Sequence, residues 1–124
     1  MGITETAYTV AWREYHTRAP RGRHVCGFSH GPSGDVADPN YCKAAVARTV
    51  KEFGKLDILV NNAAFQQHVN KFEDLTEEHF DLTIKTNLYG YFYMAKAALR
   101  EMKNGSSIVM TGSVTGLLGS SITR

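Results

Sequence analysis

Apolar residues from position 38 onward recur in two rhythms, and the switches between them mark the elements. Asp38 followed by Pro39 predicts a helix start: a capping side chain, then the residue that tolerates lacking an N–H at the first helical position. Cys42, Ala45, Val46, Thr49, Val50 and Phe53 return at three- and four-residue spacing, with Lys43, Arg48, Lys51 and Glu52 mostly elsewhere. Gly54 stands where that helix would close. The rhythm then gives way to a continuous apolar run, Leu56–Val60, that ends in Asn61, Asn62, Ala63 and Ala64. Such a run, bounded by polar turn formers, predicts a strand covered on both faces, as in a parallel sheet. A polar loop spans Gln66 to Asp74. Thr76, Glu77 and Glu78 open a second helix, with acids where the helix dipole favours them. Phe80, Ile84, Leu88, Tyr91, Met94, Ala95, Ala98, Leu99 and Met102 keep an apolar face to about Lys103, and Gly90 with the Asn87 region bends or divides this stretch. Asn104-Gly105 turns the chain, Ser107–Thr111 predicts a second buried strand, and a glycine-rich segment runs from Gly112 to Gly119.

Helix, strand, helix, strand is a βαβ unit with a helix in front, and its crossover should be right-handed. Function in such α/β sheets gathers at the carboxyl ends of the strands, where Asn61 and Asn62 fall. The pattern points to a nucleotide-binding protein.

Composition narrows this little. A chain of 124 residues is one domain at most, and 43% hydrophobic with 21% charged residues is ordinary for a globular protein. A formal charge of +2 argues against nucleic acid or an anionic membrane as partner, and no apolar run approaches a membrane span. The two cysteines, Cys26 and Cys42, have no metal-site spacing, and no metal is expected; reduced thiols in a cytoplasmic protein are the reading adopted. Residues 1–33 differ from residues 34–124: Arg13, Arg18, Arg21 and Arg23 with His16 and His24 face only Glu5 and Glu14, without sustained periodicity. An Arg-rich leader suits an organellar presequence, and Met1-Gly2 with Thr6 fits a myristoylation pattern. A poorly ordered tail is the favoured expectation.

Asp35-Val36, Asn61-Asn62-Ala63-Ala64, Thr86-Asn87 and Thr111-Gly112-Ser113 stand in the order and spacing of the short-chain dehydrogenases/reductases. The resemblance runs from Gly34 to Ser121, and Asn61–Gln66 with Thr111–Gly116 resembles the general-stress and glucose/ribitol-dehydrogenase-like branch. It implies a partial, doubly wound Rossmann-type parallel sheet, incomplete at both ends. It also implies hydride transfer between NAD or NADP and a small carbonyl or alcohol substrate. By resemblance, Asp35 accepts from the adenine amino group and Val36 packs beside that ring; on position alone, Asp35 is a loop aspartate. Asn61 and Asn62, followed by Ala63 and Ala64, tie the central strands and line the adenosine side of the cleft. Thr111 and Gly112 run beside the nicotinamide. Ser113 hydrogen-bonds the reacting oxygen, and Asn87 sits where the helix opens to hold a water of the proton relay. The long helical region Thr76–Lys103 is implied as a contact between subunits.

Thr111-Gly112-x-x-x-Gly116-x-x-Gly119 superficially resembles a phosphate loop, but its last glycine is one place too far on. Two parts of the family pattern are not matched in this sequence. No Thr-Gly-x-x-x-Gly-x-Gly loop precedes Asp35, and no Tyr-x-x-x-Lys follows Ser113; Tyr89, Tyr91 and Tyr93 have the wrong spacing and read as packing or subunit-contact residues. The expectation is therefore a fragment inactive alone, or else a non-catalytic remnant acting as an interaction module. The strand at Leu56–Val60 is expected to show an unpaired apolar edge, with Val25–Phe28 a poor substitute partner.

Overall fold

Asp38 caps the first helix as its position predicts: its Oδ1 accepts from the Asn40 N–H at 2.8 Å, ahead of a helix over Pro39–Phe53 (α1). Gly54 ends α1 in the left-handed region at φ 79°, where an L side chain would be strained. These observations come from a computed structural model that describes the backbone of Val10–Trp12 together with residues 34–67 and 69–119.

Three strands form the described sheet. Ile58–Asn61 (β2) lies at its centre, parallel to Ser107–Met110 (β3) with Leu59 opposite Ile108, and antiparallel to Val10–Trp12 (β1). The expected bare edge of the first predicted strand is thus corrected: β1 pairs along it. Periodicity missed β1 because three residues are too few to display one; Val25–Phe28 lies outside the described residues. Between β2 and β3 the chain runs through Glu77–Ile84 (α2), a π-helical turn over Lys85–Tyr89 and Gly90–Ala98 (α3), and it ends its described course in the short helix Thr115–Leu118 (α4). Thr76 caps α2, its Oγ1 accepting from the His79 N–H at 3.2 Å. The predicted break near Asn87 and Gly90 is this π-turn, closed by Gly90 N–H donating to the Lys85 carbonyl.

The core lies between one face of the sheet and the pair α1 and α3. Val36, Cys42, Val46, Leu56, Leu59, Ala63, Met94, Ala97 and Ala98 are buried there, with Ile108 packed against them. Gly90 is needed where α3 meets the loop after Gly34: a Cβ on it would stand 2.7 Å from Val36 Cγ2, too close for two carbons. The other sheet face carries exposed apolar residues. Strand residues alternate sides, so Ile58, Val60 and Val109 point away from the helices. No described element covers them, and Val109 is 49% exposed and Ile58 36%. An apolar run alone cannot say whether both faces have a partner. Among the described residues no helix is long and apolar enough to cross a membrane.

Cys42 sits at the centre of this core, fully buried, with its Sγ–H donating to the Val36 carbonyl at 3.2 Å. Burial, aided by the charges of Asp38 and Asp35, pushes its thiol from an ordinary 9.0 up to about 11. The folded chain therefore holds this proton more tightly than the unfolded chain. That contribution to stability is complete below pH 9 and is lost as pH rises toward 11. Urea midpoints should fall across that window, and C42A should remove this part of the slope. In the folded chain at mildly alkaline pH, iodoacetamide should spare Cys42 and react with it once urea is added. Labelling of Cys42 at equal rates in both states would contradict its burial.

Candidate functional site

The carboxyl ends of β2 and β3 meet the π-turn and the start of α3, and a ring of hydrogen bonds joins the three. Asn61, 2% exposed, donates from Nδ2 to the Tyr91 carbonyl at 3.2 Å. Tyr91 donates from its Oη to the Thr111 carbonyl at 3.1 Å. Thr111 N–H donates to the Asn61 carbonyl at 2.9 Å, continuing the parallel ladder one residue past β3. Partial burial raises the Tyr91 hydroxyl above its ordinary pKa, so it keeps the proton it donates.

Asn87 makes a second tie. Its Oδ1 accepts from the Phe65 N–H at 2.6 Å, and its Nδ2 donates to the Phe65 carbonyl at 2.9 Å. One side-chain amide thus satisfies both main-chain groups of a loop residue that has left the sheet, as a neighbouring strand would. The edge-on packing of Phe65 against His79 of α2, with ring centroids 5.5 Å apart, holds the same loop from its other side. The π-turn brings this about: an extra residue in the turn widens the helix at Asn87 and directs the amide to the loop.

The other predicted site residues divide into buried and open groups. Val36 is 4% exposed and Ala63 2%, and both are spent mainly on the core. Asp35 is exposed; its Oδ1 accepts from the Ala37 N–H at 2.8 Å, while Oδ2 has no partner among the described residues. Asn62 and Ala64 are exposed at the end of β2, and Thr111, Gly112 and Ser113 beyond β3. A Cβ on Gly112 would meet nothing within 4 Å, so open space lies beside it. Ser113 Oγ lies 2.7 Å from Thr115 Oγ1 and accepts from the Thr115 N–H at 3.3 Å, which holds the serine at the entry to α4. The structure therefore joins Asn61 and Thr111 through Tyr91, ties Asn87 separately to Phe65, and brings Val36 against Gly90, three residues beyond Asn87. No described bond links Asp35 or Ser113 to that ring.

Sequence reasoning missed Tyr91 and Phe65 as site residues. Tyr91 stood on the predicted apolar face and read as packing, yet its ring packs while its hydroxyl bonds, a dual use open to any buried-edge tyrosine. Phe65 takes part through its backbone, which no residue pattern reports. Among the described residues no group of His, Cys, Asp and Glu side chains could hold a metal ion.

Comparison with known proteins places this geometry. Residues 15–122 match the family model described as "Enoyl-(Acyl carrier protein) reductase". General stress protein 39 of Bacillus subtilis is 45% identical over 87 residues, 70% of this chain and 30% of that protein. The glucose and ribitol dehydrogenase of Daucus carota is 40% identical over 85 residues, 68% of this chain and 29% of that protein. Among solved structures, a short chain dehydrogenase from Burkholderia cenocepacia in complex with NADP superposes with a TM-score of 0.69 at 36% identity, over 73% of this chain and 36% of that one. The chain thus spans about 30% of the length of the curated relatives it matches. The α/β arrangement is a partial Rossmann-type fold. By its family model, its relatives and its fold, the chain belongs to the short-chain dehydrogenase/reductase family.

Proposed function

We propose that this chain is the central segment of an NAD(P)-dependent oxidoreductase, and that it supplies the floor of the cofactor cleft and part of its catalytic set. The observation that carries the reading is the π-turn at Lys85–Tyr89, with Asn87 clamped to Phe65 beside the ends of β2 and β3. The NADP-bound relative supports the cofactor class. The open residues fit parts of such a cofactor: Asp35 Oδ2 can accept from the adenine amino group, Asn62 and Ala64 can face the adenosine, and the clear space at Gly112 admits a ring beside Thr111. When bound, the nicotinamide supplies or accepts the hydride. Ser113 donates from its exposed hydroxyl to the oxygen of a small carbonyl or alcohol, which stabilises charge developing there. Asn61 and Asn87 hold the strand ends and the loop in place. The similarity to glucose and ribitol dehydrogenase favours a sugar or polyol as substrate.

A cleft whose described residues reach the two ends of a dinucleotide but not its phosphates should bind weakly. Titrating isotope-labelled chain with NADPH should shift the amides of Asp35, Asn62 and Thr111–Ser113, with a Kd on the order of 1 mM. No shift at those positions would overturn the cofactor reading. The chain alone should not turn over NADPH with a small aldehyde, because among the described residues no general acid/base is bonded to Ser113. Turnover above an S113A control would overturn that part separately.

A second reading rests on the outer face of the α2–α3 region. Phe80, Leu88, Phe92 and Leu99 are all more than half exposed there. Acidic Glu77 and Glu78 stand at one end of the region, with Asp81 paired to Lys85, and basic Lys96, Arg100 and Lys103 stand with Glu101 at the other. Two copies packed antiparallel would join the apolar faces and set opposite charges side by side. F92D should move the chain from dimer to monomer in sedimentation, and a wild-type monomer at high micromolar concentration would rule this out.

A further inference from the structure

The turn that joins α3 to β3 carries an asparagine–glycine pair used by neither the core nor the cleft. Lys103, Asn104, Gly105 and Ser106 form it, and its hydrogen bonds all engage its outer two residues. Ser106 N–H donates to the Lys103 carbonyl at 3.0 Å, Lys103 N–H donates to Ser106 Oγ at 3.3 Å, and Ser106 Oγ donates to the Leu56 carbonyl at 3.5 Å. The inner pair is left out. Asn104 and Gly105 are both exposed, and neither the Asn104 amide nor the Gly105 N–H has a partner among the described residues. Gly105 has φ 90°, and a Cβ built on it would meet nothing within 4 Å, so the surrounding space is open.

We propose that Asn104 is a self-modifying site, which converts to isoaspartate and aspartate through a cyclic imide formed with Gly105. The Gly105 nitrogen loses its proton and attacks Asn104 Cγ. The Cγ–Nδ2 bond breaks, and ammonia leaves with the proton. One water then opens the five-membered ring. Addition at Cγ gives aspartate; addition at the former peptide carbonyl leaves Gly105 attached through Cγ, which is isoaspartate. No electrons are transferred, and the balance is one water in and one ammonia out. A side chain on residue 105 would crowd the attack, and glycine brings none.

The modification bears on the fold at this point. Isoaspartate adds a backbone atom to a four-residue turn whose next residue, Ser107, donates to the Asp57 carbonyl at 2.9 Å and pairs with Ile58 at the start of β3. Either product places a carboxylate beyond the carboxyl end of α3, where the helix dipole disfavours it. It also lowers the formal charge of +2 by one.

The test is ageing of the full chain at mildly alkaline pH and body temperature, in buffer and in urea, followed by peptide mapping. In buffer, the peptide bearing Asn104 should gain the mass of an amide-to-carboxylate exchange, with isoaspartyl and aspartyl forms separating on chromatography. The rate should fall within roughly tenfold of that in urea, since exposed loops open at near-zero cost. N104Q should lose the change while keeping the turn. Two outcomes would overturn the proposal: conversion in urea with none in buffer, or conversion at Asn61, Asn62 or Asn87 in place of Asn104.

Discussion

N61D should remove a large part of the chain's stability at neutral pH. Asn61 is 2% exposed, and its Nδ2 donates to the Tyr91 carbonyl at 3.2 Å. The substitution replaces that donor by an oxygen, so a buried carboxylate faces a carbonyl, and no described residue gives it a cation. A buried charge left without a partner costs about 3–5 kcal/mol, against roughly 5–15 kcal/mol of stability for a typical domain. The buried acid can escape the penalty only by taking up a proton, so its folded pKa rises above its unfolded value. The variant is then least impaired in acid and loses stability as pH climbs through the usual carboxylate range. N61L, which removes the amide without adding charge, should lack this pH dependence. Far-UV circular dichroism in urea at acid and neutral pH reads the difference. An N61D variant as stable at neutral pH as the wild type would show that the ring joining Asn61, Tyr91 and Thr111 does not form.

The second large effect is expected from L59A. Leu59 is 1% exposed, pairs with Ile108 across β2 and β3, and joins Val46, Met94 and Ala98 in the core between sheet and helices. Removing it loses the transfer energy of the deleted carbons and leaves a cavity, together about 2–5 kcal/mol in well-packed sites. Few neighbours here can move in: α3 already lies close against the loop at Val36 through Gly90, and the core is small. Urea midpoints should drop accordingly. A loss below about 1 kcal/mol would mean that the helices swing in to fill the gap, so that sheet and helices are loosely joined.

Much of the fold was legible because it rests on local rules. Asp38, Pro39 and Gly54 fix the ends of α1 through capping and backbone freedom, which depend on neighbours a few residues away. The dividing of the second helical stretch followed from Gly90 and Asn87 for the same reason, although the pattern could not specify a π-turn. The partial Rossmann-type class came from the order of elements and from motifs at strand ends. Less was legible where partners are distant in sequence. Nothing local distinguishes Val60 from Leu59, yet the helices bury Leu59 while the opposite side of the strand has no described cover.

What the chain determines by itself is therefore the presence and order of α1, β2, the divided helical stretch and β3, with the two ends of α1, because capping and periodicity are properties of short segments; β2 begins two residues later than the apolar run, at Ile58. Tertiary structure alone decided the rest. It paired β1 with β2, a match made by backbone groups that carry no residue signature. It gave the Asn87 amide to the Phe65 backbone and the Tyr91 hydroxyl to Thr111, across 22 and 20 residues of chain. Such bonds exist only once packing has brought the segments together, since their donors and acceptors gain little over water until burial removes the alternative.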